Sequence, residues 1–147
     1  MQIYVKYKKL TENAVMPTKG SSGAAGYDLY VDTQSDIEIQ PGETIPFYTG
    51  IAVEIPYGYM GLLCSRSGIS TKRGLRLPHG VAIIDQDFRG NIGVPLYNDS
   101  NEVQVVCKQE RVAQICFIPV ADAHMYPTEG ELSWTERGAG GFGSTGR

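Results

Sequence analysis

Long apolar runs are missing from this 147-residue chain, and no stretch nears the ~20 residues that a membrane-crossing helix needs. Cysteine and histidine are scarce as well. Cys64, Cys107 and Cys116 are odd in number and widely spaced, with no CxxC pair. That excludes a disulfide framework and points to buried free thiols in a reducing compartment. His79 and His124 form no ligand-spaced pair, so a structural zinc site has too few donors. Positive charge is in deficit, with 13 Lys and Arg against 16 Asp and Glu and a formal net charge of -3. Such a chain lacks the general attraction that holds a basic domain to duplex nucleic acid, whereas a phosphate-bearing small ligand needs only local positive charge. The first ten residues mix Lys6, Lys8 and Lys9 with Ile3 and Val5 and contain no apolar core of signal-peptide length. The expectation is a soluble, cytoplasmic protein that associates with no membrane and binds no nucleic acid stably.

Glycine and proline are plentiful instead. Together they make 26 of 147 residues, against a usual share of roughly 12%, which speaks for turns and short elements and against a helical bundle. A hydrophobic fraction of 41% is too high for an intrinsically disordered chain, and the length suits one domain. Apolar residues recur two apart at Ile37 and Ile39, at Ile51, Val53 and Ile55, and at Ile92, Val94 and Leu96, the period of half-buried strands. Turn signals at Pro41-Gly42, Thr49-Gly50, Pro56-Tyr57-Gly58, Arg89-Gly90 and Asn98-Asp99-Ser100 separate them, as in an all-β sandwich, jelly roll or small barrel. Residues 67–74 are the one candidate for a short helix, capped by Ser67 and stopped by Gly74.

Five stretches could carry chemistry. In AAGYDLY, residues 24–30, Asp28 sits inside a strand-like run, where a carboxylate is either paired or on a solvent face. In residues 62–74 an apolar strand runs into SRSGISTKRG. A strand entering a Ser/Gly turn that opens a helix presents free backbone N–H groups beside Arg66, which outlines an anion site as well as an ordinary capped helix. In HGVAIIDQDFRGNIGVPLYN, residues 79–98, the run Val81 to Ile84 reads as a buried strand that delivers Asp85 into a turn closed by Arg89-Gly90, with residues 91–98 as the return strand of a hairpin. A carboxylate held there is either a rigidly aimed general base or a solvated turn residue. In ERVAQICF, residues 110–117, alternation puts Arg111, Ala113, Ile115 and Phe117 on one side and Val112, Gln114 and Cys116 on the other, so Gln114 interrupts an apolar face and needs a hydrogen-bond partner. Residues 137–147, RGAGGFGSTGR, hold five glycines and one large apolar group, Phe142. They form an arm that is either a tail or a lid over phosphates and a base.

The order AGYDL, RSG, GVAIIDQDFRG, ERVAQ and RGAGGFGSTG resembles the five motifs of the trimeric deoxyuridine triphosphatase (dUTPase) family, and the resemblance runs from residue 24 to residue 147. It implies a jelly-roll-like β domain over residues 1–136, an arm over 137–147, a homotrimer with three shared active sites, and Mg²⁺-dependent hydrolysis of dUTP to dUMP and pyrophosphate, which limits uracil in DNA and supplies dUMP for dTMP synthesis. By the same resemblance Asp85 activates the attacking water. Arg66, Ser67 and Gly68 contact phosphates, and His79, Ile83, Ile84 and Gly93 form the uracil slot. Asp28 and Gln114 reach the metal through water. Arg137 meets the γ-phosphate, Phe142 stacks on uracil, and Gly143 and Ser144 supply donors. The chain departs from the commonest pattern at two positions. Phe88 stands where most members have Tyr beneath the deoxyribose, so it excludes a 2′-hydroxyl by shape alone; His79 stands where many have Asn. Two other readings remain open at this stage: a relative of dCTP deaminases, against which Asp85 in an IDxDF turn argues, and a trimeric protein that uses the same surface to bind a regulatory partner.

Overall fold

The structure, a computed structural model, describes residues 2–141. The period-two runs become strands, and the turn signals become the breaks between them. In chain order the elements are β1 (Lys6–Lys9), β2 (Tyr27–Tyr30), β3 (Ile37–Ile39), β4 (Thr44–Tyr48), β5 (Ile51–Glu54), β6 (Tyr59–Ser65), α1 (Ser67–Arg73), β7 (Leu75–Arg76), β8 (Val81–Ile84), β9 (Gly93–Asn98), β10 (Gln104–Val106) and β11 (Arg111–Pro119). Eleven short strands and a single helix of two turns, all among the described residues, make the all-β, jelly-roll-like architecture expected from the sequence.

A four-stranded sheet runs β2-β11-β6-β8 and a three-stranded sheet β4-β9-β7, while β1-β5 and β10-β3 form two-stranded ribbons. Every pairing between these strands is antiparallel. Their inward faces converge on one core that includes Leu29, Ile39, Ile51, Leu63, Leu75, Leu77, Ile92, Leu96 and Ile115, each almost completely buried. The expected runs supply much of it: Ile51, Val53 and Ile55 from one, Ile92, Val94 and Leu96 from another. Gly50, which closes the Thr49-Gly50 turn, has φ 67°, and a Cβ there would meet Asp32 Oδ2 at 2.6 Å and Ala14 Cβ at 2.7 Å. Both backbone and space require glycine at that point.

Four expectations need correction. Residues 79–98 are not a hairpin, because β8 pairs with β6 while β9 pairs with β4 and β7; the turn after Asp85 is an arch from one sheet to another, and β9 starts at Gly93. Nor is β8 buried. It is the edge of its sheet, and Val81 and Ile83 are 49% and 60% exposed while Ile84 turns inward. A continuous apolar run is two-sided, and in a single subunit one side has no cover. The helix begins one residue earlier than expected: Arg66 is the N-cap, in extended backbone and without a side-chain capping bond, Ser67 is the first helical residue, and Gly74 ends the helix in the left-handed conformation. Finally, Cys107 is exposed and Cys64 and Cys116 are half-buried, although all three are free thiols as expected.

After β11 the chain leaves the sheets. Residues 121–139 contain no strand or helix and are exposed throughout, including Met125, Tyr126, Leu132 and Trp134, each at least 84% exposed.

One buried polar side chain ties the far end of the molecule together. Asn98, fully buried, donates from Nδ2 to the carbonyls of Ile39 (2.9 Å) and Glu102 (2.8 Å) and accepts at Oδ1 from the Ser100 amide (3.0 Å) and hydroxyl (2.7 Å). Asn98→Ala takes the side-chain donor from the carbonyl of fully buried Ile39, so urea unfolding should show a loss on the order of 1–3 kcal/mol. A loss below about 0.5 kcal/mol, the range of ordinary surface changes, would mean that the loop is held by other contacts.

Candidate active site

The sheet β2-β11-β6-β8 has an inner face of Leu29, Leu63, Ala113, Ile115 and Ile84, all buried. Its outer face follows from the register. Asp28 lies opposite Gln114 and Gln114 opposite Cys64, while Cys64 lies opposite Val81 and Leu62 opposite Ile83. Residues directly opposite in an antiparallel pair share a face, so Asp28, Gln114, Cys64 and Val81 form one row across the sheet.

Asp28 is paired, not solvated. Arg66 donates from Nε to its Oδ1 at 2.9 Å and Arg111 from Nη1 to its Oδ2 at 3.2 Å, and the Asp28 side chain is 13% exposed. Arg66 also donates from Nη1 to the Arg111 carbonyl at 3.3 Å. Ile69 and Ser70 donate their amides to the Arg66 carbonyl; Ser67 and Gly68 occupy the open first turn, where a helix has no acceptor of its own for its amides. Gln114 makes one long bond, from Nε2 to the Ser65 carbonyl at 3.4 Å.

Arg111 was expected on the opposite side of β11 from Gln114. The register shifts between Arg111 and Ala113: Arg111 lies opposite Tyr30 and Ala113 opposite Leu29. Val112 is the extra residue of a β-bulge, and such a residue reverses the alternation beyond it. Arg111 is thereby moved to the face of Asp28. No residue type in ERVAQ signals the bulge, which is why alternation alone misassigned it.

Asp85 lies elsewhere. Gly61 pairs with Ile84 and Cys64 with Val81, so Asp85 follows the Met60 end of β6 while Arg66 follows the other end. Six residues of strand separate positions 60 and 66, about 20 Å at 3.3 Å per residue. Within one subunit the carboxylate and the arginines therefore stand at opposite ends of β6. Asp85 instead borders an open cleft of ≈ 620 Å³ lined also by Tyr57, Met60, Ile83, Asp87 and Asp122, with Tyr57 Oη donating to Asp122 Oδ2 at 2.8 Å. Among the described residues three carboxylates and no Lys or Arg line it. Sequence reading missed Tyr57 and Asp122, which reach the cleft from segments remote in sequence.

The arch beyond Asp85 is closed by a turn in which the Phe88 amide donates to the Asp85 carbonyl at 3.1 Å. The Phe88 ring lies over Gly90, where a Cβ would come within 2.6 Å of Cζ, and it remains 40% exposed. Ile83 faces outward and Ile84 inward on β8, and His79 and Gly80 form the exposed turn before it. Gly93 opens β9 opposite Tyr48. Arg137 is exposed, with its carbonyl accepting from Gly140 N at 3.0 Å. Phe142, Gly143 and Ser144 lie outside the described residues.

Oxygen donors at the arginine end suit a hard cation: the Asp28 carboxylate and the Gln114 carboxamide oxygen. Both Asp28 oxygens already accept from guanidinium groups, leaving lone pairs for water but no bare carboxylate. Among the described residues no group of three or more His, Cys, Asp and Glu side chains is arranged to hold a metal. The donor set therefore fits Mg²⁺ that keeps its waters and rides on phosphates, and not a metal caged by protein. Cys64 adds nothing to it, since burial and then the neighbouring Cys116 push its thiol up and keep it protonated.

The dUTPase family model matches residues 12–146. The chain belongs to the dUTPase family. A deoxyuridine 5'-triphosphate nucleotidohydrolase of Nautilia profundicola is 45% identical over 143 residues, 97% of this chain and 99% of that one. The Staphylococcus bacteriophage 80alpha dUTPase solved with dUPNHPP superposes with a TM-score of 0.85 at 31% identity, covering 99% of this chain and 100% of the other. A dUTPase from phage phi11 of S. aureus, whose structure is described as revealing the coordination of a structural Mg(II) ion, gives 0.77 at 26% identity over 87% and 98% of the two chains. No helix among the described residues of this dUTPase-family chain is long and apolar enough to cross a membrane.

Gly26, two residues before Asp28, is part of the same packing. A Cβ there would meet Cys116 Sγ at 2.9 Å, the Ile115 carbonyl at 3.1 Å and Gln114 Oε1 at 3.4 Å. Gly26→Ala should cost about 1–3 kcal/mol by overpacking and disturb Gln114, so that KM for dUTP rises along with a fall in Tm. Unchanged KM in a variant of lowered Tm would separate Gln114 from the site.

Proposed function

We propose that this chain, a dUTP diphosphatase by its family, splits dUTP at the α-phosphorus in a site assembled from more than one copy of itself. The observation that carries the proposal is the separation of Asp85 from Arg66 along β6 and β8. A triphosphate beside the carboxylates of the Asp85 cleft needs a surface that supplies positive charge. The Arg66 end of a neighbouring copy is such a surface. Three features favour a closed oligomer: the uncovered outer face of β8 with Val81 and Ile83, the exposed segment 121–139 with Trp134 and Leu132, and the family's trimeric habit. We assign three copies and three sites.

In that site the Arg66 guanidinium and the first-turn amides of Ser67 and Gly68 hold phosphate oxygens. Mg²⁺, when bound to the phosphates, neutralises their charge, with Asp28 and Gln114 reaching its water shell. Asp85 accepts the proton of a water aimed at the α-phosphorus, and pyrophosphate leaves. Uracil lies along the edge of β8, against His79, Ile83, Ile84 and Gly93, and Phe88 packs under the deoxyribose. Arg137, Phe142, Gly143 and Ser144 close over the nucleotide. The dUTP analogue bound by the phage 80alpha relative supports the substrate, and no observation favours a deaminase or a purely regulatory role. The products imply removal of dUTP from the DNA precursor pool and a supply of dUMP.

Asp85→Asn should lower kcat roughly 10²–10⁴-fold, the worth of a general base, while dUTP affinity holds. Near-normal turnover would remove Asp85 from the mechanism. The shared site is tested by mixing two inactive variants, Asp85→Asn and Arg66→Ala, through co-refolding. An intact Asp85 from one chain can then face an intact Arg66 from the other, so activity should return. Mixed oligomers as inactive as their parents would place both groups in one subunit's site and overturn the proposal.

Phe88→Ala should open the space beneath the sugar and lower the ratio of kcat/KM for dUTP over UTP about 10-fold or more. An unchanged ratio would mean that the ring does not touch the sugar.

A further inference from the structure

We infer that Arg111 is a positioning residue of the phosphate site, holding Asp28 so that Arg66 keeps donors free for the substrate; the inference rests on the reading of Arg66 as a phosphate contact. Arg111 acts twice on this cluster. Its Nη1 occupies Asp28 Oδ2 at 3.2 Å, and its own carbonyl accepts from Arg66 Nη1 at 3.3 Å. Arg66 therefore gives Asp28 a single bond, from Nε to Oδ1 at 2.9 Å.

A carboxylate and a guanidinium left to themselves prefer the two-bond fork, in which both oxygens take donors from one arginine. With Oδ2 vacant, the fork would consume a second donor of Arg66 and turn the guanidinium plane towards Asp28. Arg111 blocks that fork by filling Oδ2. Among the described residues no hydrogen bond engages Arg66 Nη2, and this is the donor left for a phosphate oxygen. The bulge at Val112 is what permits the arrangement, because it brings both the Arg111 side chain and its carbonyl to the Asp28 face. Asp28 is nearly buried while the Arg111 side chain is 48% exposed. Loss of Arg111 therefore removes little packing, and its effect is separable from folding.

The test is Arg111→Met in the full chain. KM for dUTP should rise about 10- to 100-fold, the equivalent of one or two charge-assisted hydrogen bonds, with kcat within threefold of wild type. Inhibition by deoxyuridine, which has no phosphate for Arg66 to hold, should change less than twofold. Arg111→Lys, which can still occupy Oδ2, should recover most of the affinity. In the Asp28→Asn background, which has no second carboxylate oxygen to guard, Arg111→Met should change KM by less than threefold. The inference is overturned by a KM within twofold of wild type in Arg111→Met, by equal losses for dUTP and deoxyuridine, or by an undiminished effect in the Asp28→Asn background, which would mark direct contact with substrate. Should Arg111→Met not fold, Arg111→Gln is read against the same outcomes. Wild-type turnover of dUTP reports separately on the proposed function; if the wild type turns over nothing, the clamp is read from Kd for inorganic pyrophosphate, where the same loss is expected.

Discussion

Strand β11 is paired on both sides, with β2 along one edge and β6 along the other, and most of the molecule depends on that double pairing. Its inward residues Val112, Ala113 and Ile115 are buried in the common core. Its outward residue Gln114 lies between Asp28 and Cys64 in the row beside which Arg66 and Arg111 gather. A strand with neighbours on both edges has its backbone donors and acceptors satisfied within the sheet and cannot slide without exposing its apolar set. The rigidity of the Asp28, Arg66 and Gln114 group is thus inherited from the sheet and not created by loops. The single irregularity in that strand, the bulge at Val112, is also the feature that brings Arg111 to Asp28.

Charge is segregated along the same sheet. Arg66 and Arg111 gather at one end of β6 around a single carboxylate, and Asp85, Asp87 and Asp122 gather at the other. In the proposed function each end by itself is half of a site for a polyanion: one would hold phosphates without a base to activate water, and the other would carry the base without cations to hold phosphates. Distance along the strands keeps the two ends apart in one subunit, and the proposed assembly is what would unite them. The uncovered outer side of β8 is part of the same arrangement, since a strand apolar on both faces has been left with one face bare. Assembly would give that face cover and give Asp85 its cationic counterpart in one event.

Much of this is legible in the sequence. Period-two runs through Ile51, Val53 and Ile55 and through Ile92, Val94 and Leu96 lie in the core as their spacing requires, because alternation is a local property of an extended backbone. Glycine at position 50 marked a turn whose geometry only glycine tolerates. The nature of the chemistry was legible too, in the order of motifs from Asp28 through Asp85 to Gln114. The errors share a cause. Treating residues 79–98 as a hairpin assumed that neighbours in sequence pair with each other, but β8 gained its partner from β6 and β9 from β4 and β7. Treating Val81 to Ile84 as buried assumed that an apolar strand is covered within its own subunit.

The sequence by itself determined that the fold is all-β, which residues face the core in its regular strands, and the family to which its ordered motifs belong. Those properties follow from spacing and residue type, which act over a few positions of chain. Only the tertiary structure decided that Arg66 and Arg111 meet on Asp28 while Asp85 stands about 20 Å away along the sheet. Register between strands distant in sequence, and one bulged residue within them, set those distances. Both depend on how the whole set of apolar faces closes at once, and no local pattern in the chain encodes that.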